Sequence, residues 1–81
     1  MLKIIFFAQV RELVGTEQLT LDAEYSTVED LRKALALRGD KWALALESGK
    51  LLTAVNQSLV SGAHYLNDGD EVAFFPPVTG G

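Results

Sequence analysis

Glu71-Val72-Ala73-Phe74-Phe75-Pro76-Pro77 decides the fold of this chain. Five mostly apolar, strand-favouring residues follow a turn signal, Asp68-Gly69-Asp70, and stop at two prolines. Neither proline can donate a ladder hydrogen bond, and both hold the backbone after them extended. Leu2-Lys3-Ile4-Ile5-Phe6-Phe7, at the opposite end of the chain, has the same β-branched and aromatic character with a single charge. Two such strands, first and last in the chain, fit adjacent central positions of one sheet, with burial expected on both faces. The prolines then direct Val78-Thr79-Gly80-Gly81 away from that sheet.

The segments between these strands supply the remaining elements. Gln9–Val14 carries a short helical pattern closed by Gly15, and Leu19-Thr20-Leu21 alternates as a second strand, so the first two strands form a hairpin-like pair with a turn of helix inserted. At Ser26-Thr27-Val28-Glu29-Asp30 the helix-start signals converge. Ser26 with Glu29, or Thr27 with Asp30, can form a capping box, and the acids suit the positive end of the helix dipole. Val28, Leu31, Ala34 and Leu35 share one helical face, making this the main helix; Gly39 is expected to stop it. Asp40 is expected to cap a second short helix through Trp42, Leu44 and Leu46. Leu52–Val55 and Ser58–Val60 read as two short strands joined by a tight Asn56-Gln57 turn. The expected architecture is α+β, a ubiquitin-like β-grasp of about five strands in a mixed sheet wrapped around one main helix. Residues 1–75 form the domain and 76–81 a flexible C-terminal tail. A ferredoxin-like arrangement needs a second long amphipathic helix, for which residues 58–72 are too short and too polar.

Composition excludes several function classes. With 81 residues the chain is one small domain, and its 48% hydrophobic content against 22% charged residues indicates a real core rather than disorder. It contains no cysteine, so disulfides and thiolate chemistry of its own are excluded. The net charge of −4, with its basic residues dispersed, offers no stripe to neutralise phosphates, so nucleic acid is not an expected partner and a phosphorylated small molecule would be held by another protein. No apolar stretch approaches the ~20 residues needed to span a bilayer, and the N-terminal apolar patch is too short for a signal sequence. The expected location is cytoplasmic, with no membrane partner.

Chemistry points to the C-terminus. Two consecutive glycines give up more backbone freedom on ordering than any other residues and have no fold-level reason to end a domain. They do pass, fully extended, through a tunnel too narrow for a Cβ, which brings the Gly81 carboxylate to a partner's active site. Taken alone, the same ending fits a frayed terminus or a cloning remnant. Docking requires a surface as well. Phe6 and Phe7 cannot share a face of a strand, nor can Phe74 and Phe75, so one of each pair is expected away from the helix. Phe7, Leu59 and Phe75 are the expected exposed apolar patch, with Arg11 as a rim contact; the alternative is that all are core, covered by the loop around Trp42 or by residues 61–67. His64 has no second ligand nearby and reads as a surface side chain. Asp68-Gly69-Asp70 lacks the later ligands of a calcium loop. Trp42, Leu44 and Leu46 read as a satellite core cluster, and no metal site is expected.

Three stretches together carry a family resemblance: Phe6-Phe7-Ala8-Gln9-Val10-Arg11-Glu12-Leu13, Ala54-Val55-Asn56-Gln57, and the run from Asp68 to Gly81 with its aromatic, double-proline and Gly-Gly series. Over essentially its whole length the chain resembles the small, sulfur-carrying subunits of molybdopterin synthase, in molybdenum cofactor biosynthesis. The resemblance implies that Gly81 is adenylated with ATP by a partner similar to ubiquitin-activating enzymes and then converted to a thiocarboxylate, a covalent 1-thioglycine whose sulfur comes from a separate donor system. It further implies that Pro76, Pro77, Val78, Thr79 and Gly80 thread this group into a large synthase subunit. Two carriers flank a central dimer of large subunits there, and sulfur passes to a pyranopterin precursor to form the dithiolene. The chain itself would bind no cofactor and have no activity alone. Two other readings stand beside this one: a ubiquitin-like modifier or a thiamine-pathway sulfur carrier, sharing the activation step, and a β-grasp interaction module with an unremarkable tail.

Overall fold

The computed structural model describes residues 1–47 and 51–77. In chain order the elements are β1 (Leu2–Phe6), α1 (Ala8–Val14), β2 (Gln18–Leu21), α2 (Val28–Ala36), α3 (Asp40–Leu46), β3 (Leu52–Val55), β4 (Ser58–Val60) and β5 (Glu71–Phe75). The five strands lie in the order β2-β1-β5-β3-β4. β1 and β5 pair in parallel, and every other neighbouring pair is antiparallel. This is the ubiquitin-like β-grasp, with the first and last strands side by side at the centre.

All three helices cover one face of the sheet. Leu2, Ile4 and Phe6 of β1, Val72 and Phe74 of β5 and Val55 of β3 point into the core, where they meet Val10 of α1, Val28, Leu31 and Leu35 of α2, and Ala45 and Leu46 of α3. The Phe6 and Phe74 rings stack with centroids 6.3 Å apart, and Trp42 meets Phe6 edge-on at 5.5 Å. Trp42 and Leu46 therefore belong to the main core rather than to a satellite cluster, while Leu44 is exposed. The expectation of burial on both faces of the central strands is corrected. β1 alternates, with Lys3 fully exposed and Ile5 half-buried, because nothing among the described residues packs on the far side.

Local chemistry explains the element ends. The backbone of Gly15 is left-handed (φ 77°) and its N–H closes α1 on the Arg11 carbonyl, a conformation that favours glycine. The α2 cap is Thr27, whose hydroxyl oxygen accepts the Asp30 N–H at 3.2 Å. Glu29 takes no part in a box with Ser26; its carboxylate accepts two hydrogen bonds from Arg32, at 2.6 and 2.9 Å. The same guanidinium donates to the Leu46 carbonyl at 2.8 Å and so ties α2 to the end of α3. Gly39 does not terminate α2, which ends at Leu37; it precedes α3 in an ordinary extended conformation, and Asp40 lies inside the first turn of α3 without capping it. Asn56 and Gln57 both have positive φ, 50° and 71°, as the tight β3–β4 hairpin turn requires. Loop residues 61–67 lie against the start of α2, where the Val28 and Glu29 N–H groups donate to the His64 and Gly62 carbonyls.

Candidate functional site

β5 delivers the chain to its tail at Phe75, and the outer face of the sheet surrounds that exit. Side chains of directly opposed residues share a face, so the register defines this surface. Phe75 is opposite Leu52, Ala73 lies between Ile5 and Ala54, and Ala54 is opposite Leu59. Phe7 extends the β1–β5 ladder by one step, its N–H donating to the Phe74 carbonyl at 3.1 Å, and so stands beside Phe75. The chain then turns sharply at Ala8 (φ 52°) into α1. That turn leaves Phe7 46% exposed, and Leu59 on the edge strand is 67% exposed. Phe75 is half-buried.

The structure brings Phe7 and Phe75 together directly and joins Leu59 to them through Leu52 and Ala54. Neither of the covers considered for this patch is present. Trp42 is packed on Phe6 inside the core, and residues 61–67 lie on the helix side. Arg11 is exposed one helical turn beyond Phe7, to whose carbonyl its N–H is bonded. Four members of the face were not singled out from sequence: Ile5, Leu52, Ala54 and Ala73. Period-two alternation places each on the outer side of its strand, but only the register shows that they adjoin.

Pro76 is half-buried and Pro77 exposed. Together they form one wall of an open groove of about 140 Å³ lined also by Val10, Leu13, Leu44 and Leu51. Val78, Thr79, Gly80 and Gly81 lie outside the described residues. At the opposite end the outer face becomes polar. Lys3 is opposite Glu71. The Asp70 carboxylate accepts the Asn67 N–H at 2.8 Å and the Asn56 side-chain amide at 2.9 Å, and Asn56 in turn accepts the Glu71 N–H at 3.0 Å. These two donors, the Asn67 backbone foremost, hold the Asp70 carboxyl below its usual range. Asp68 is lowered as well, by its contact with the Met1 ammonium group. His64 is exposed, and no group of three or more metal-ligating side chains occurs among the described residues. No helix among the described residues is long and apolar enough to cross a membrane.

The described site is thus an apolar outer face beside the point where β5 ends. It presents apolar area and backbone direction, with no paired acid and base and no activated nucleophile of its own.

Known proteins share this sequence and fold. The model of the ThiS family matches residues 4–81. The chain is 67% identical to the molybdopterin synthase sulfur carrier subunit of Escherichia coli strain K12, and the match covers 100% of both chains. It is 56% identical to the protein of the same name from Haemophilus influenzae, again over 100% of both. Among solved structures it is similar to a protein–protein complex of subunits 1 and 2 of molybdopterin-converting factor from Helicobacter pylori. That match has a TM-score of 0.68 and 25% identity, covering 99% of this chain and 97% of that one. With the family match and the full-length identities in agreement, the chain belongs to the ThiS family and, within it, to the molybdopterin synthase sulfur carrier subunits.

Proposed function

We propose that this protein is the sulfur carrier and small subunit of molybdopterin synthase, with Gly81 as the residue that bears sulfur. The observation that carries the reading is the uncovered apolar face of Phe7, Leu59 and Phe75 around the point where β5 releases the chain toward Gly80-Gly81. A carboxylate is a poor electrophile, so exchanging one of its oxygens for sulfur requires a better leaving group. In the proposed sequence the Gly81 carboxylate displaces pyrophosphate from ATP in an activating partner. A sulfur nucleophile from the donor system then displaces AMP, leaving a thiocarboxylate. Its sulfur bonds to a carbon of the pyranopterin precursor in the large subunit as an oxygen substituent leaves that carbon, and hydrolysis of the resulting thioester leaves the sulfur on the pterin and returns the Gly81 carboxylate.

The carrier's contribution is placement. Six residues from Pro76 to Gly81, extended at ~3.3–3.6 Å each, reach about 20 Å from the sheet, which passes from a docking surface into a buried site. Holding the sulfur beside its substrate removes much of the entropic barrier to reaction. The two glycines keep the end of the tail slim, and the apolar face with Arg11 at its rim docks the domain. The activating enzyme and the large subunit would use the same face and therefore bind in turn. The H. pylori neighbour, itself a complex of two converting-factor subunits, supports a large-subunit partner, and a heterotetramer of two small and two large subunits is the proposed assembly.

Intact-mass spectrometry of protein purified from cells containing the activating partner tests this reading. Exchange of one terminal oxygen for sulfur is the expected result. A ladder of conjugates to other proteins would favour a ubiquitin-like modifier, and an unmodified mass under all conditions would refute the carrier. Gly81→Ala and Gly80→Val are expected to abolish sulfur transfer with little change in melting temperature.

A further inference from the structure

The middle of the outer face holds its two smallest side chains. Ala54 and Ala73 are direct partners across the β3–β5 pair. Ile5 flanks Ala73 on one side, and Leu59 flanks Ala54 on the other. One step along the strands toward the tail stands the Leu52–Phe75 pair. Two methyl groups are therefore bounded on three sides by long apolar side chains, and Leu59 stands up as a wall. Alanine is depleted in strands because it gives cross-strand neighbours little to pack against, so a valine or isoleucine at either position would suit the isolated sheet better.

We infer that Ala54 and Ala73 form a seat for one large apolar side chain, of the size of phenylalanine, leucine or methionine, projecting from the protein that receives the tail. The inference rests on the carrier reading above and adds a determinant of partner fit to it. Ile5 to Leu59 spans three strand spacings and the seat lies one side-chain repeat from the Phe75 row, so the apolar face covers on the order of 200–300 Å². A stable interface buries ~800 Å² on each partner, which two copies of this face pressed together would not supply. A protein that also takes up the six residues from Pro76 to Gly81 gains their surface in addition, since they follow Phe75 directly in the chain. The face is electrically balanced near the seat, Lys3 standing opposite Glu71, so an uncharged apolar side chain is the complement.

The experiment measures binding of the unmodified protein to the purified large subunit of molybdopterin synthase from the same organism by isothermal titration calorimetry. A seat and a generic apolar patch predict opposite signs. Filling the seat in Ala73→Ile or Ala54→Ile is expected to weaken binding at least roughly tenfold, as overpacking does, with no loss of melting temperature. Ala73→Ser, which keeps the space, is expected to stay within about threefold of the parent. Should either isoleucine variant fold poorly, Ala54→Val fills part of the space with a strand-favouring residue and is expected to weaken binding in the same direction. Isoleucine variants that bind as tightly as the parent, or more tightly, would overturn the seat. Leu59→Ser separates the two levels. If it weakens binding while the isoleucine variants do not, only the seat is wrong; if none of the variants changes binding, the docking face falls with it.

Discussion

Phe74 and Phe75 are adjacent in sequence and lie on opposite faces of β5, so truncating each should give opposite phenotypes. Phe74 is fully buried and stacked on Phe6. Its loss removes the transfer free energy of a buried aromatic side chain and leaves a cavity among Phe6, Val72 and the helices, about 3–5 kcal/mol in all. A domain of this size has a total stability of roughly 4–12 kcal/mol, and each kcal/mol moves its melting temperature by ~4–8 °C. Phe74→Ala should therefore melt more than about 12 °C lower and be partly unfolded at 37 °C. Phe74→Leu, costing about 1–2 kcal/mol, keeps a folded sample for comparison. Phe75 is half-buried on the outer face beside Phe7 and Leu52, and Phe75→Ala should cost only about 0.5–1 kcal/mol. The same change removes an aromatic anchor from the proposed docking face and should weaken large-subunit binding about tenfold or more. Circular dichroism melts with urea titrations measure the first effect, and calorimetric titration measures the second. Equal destabilisation by the two alanine variants, or normal binding by Phe75→Ala, would refute the assignment of faces to functions.

Three further outcomes are expected. Thr27→Ala removes the α2 cap and should cost about 1 kcal/mol in urea unfolding, with Thr27→Ser close to the parent. Gln57→Gly relieves a left-handed conformation at φ 71° and should raise stability by about 0.5–1 kcal/mol, visible as a higher denaturation midpoint at unchanged slope. The folded Asp70 carboxyl titrates below its ordinary value of 3.8, so its contribution is present above that pH and is lost as pH falls from there through the folded value. Asp70→Asn should be less stable than the parent at pH 7, where it sets an amide against the Asn56 amide, and should lose less stability on acidification. Parallel urea titrations at neutral pH and below pH 3.8 measure this, and equal acid sensitivity of parent and variant would count against it.

Element types and order were legible because they depend on local chemistry. Near-continuous β-branched and aromatic runs mark β1 and β5, Gly15 closes α1, Thr27 opens α2, and Pro76 follows the last strand. The apolar outer face was legible in part. Strand geometry forces Phe6 and Phe7 apart, but Ala54 and Ala73 became significant only when register set them side by side. Gly39 was misread as the end of α2 because a glycine between two helical patterns suits either a C-terminal stop or an N-terminal flank. Burial on both faces of the central strands was overestimated, since Ile5 and Phe75 have core-like side chains on a surface that no element among the described residues covers.

By itself the sequence determined a small β-grasp domain whose last strand stops at two prolines, because hydrophobic period, turn residues and proline act over a few neighbouring positions. Tertiary structure decided between the exposed patch and the all-core alternative for Phe7 and Phe75, and showed that two alanines nineteen residues apart in sequence share the centre of the outer face. Those outcomes follow from strand register and from which side of the sheet the helices occupy, neither of which is contained in any local stretch of the chain.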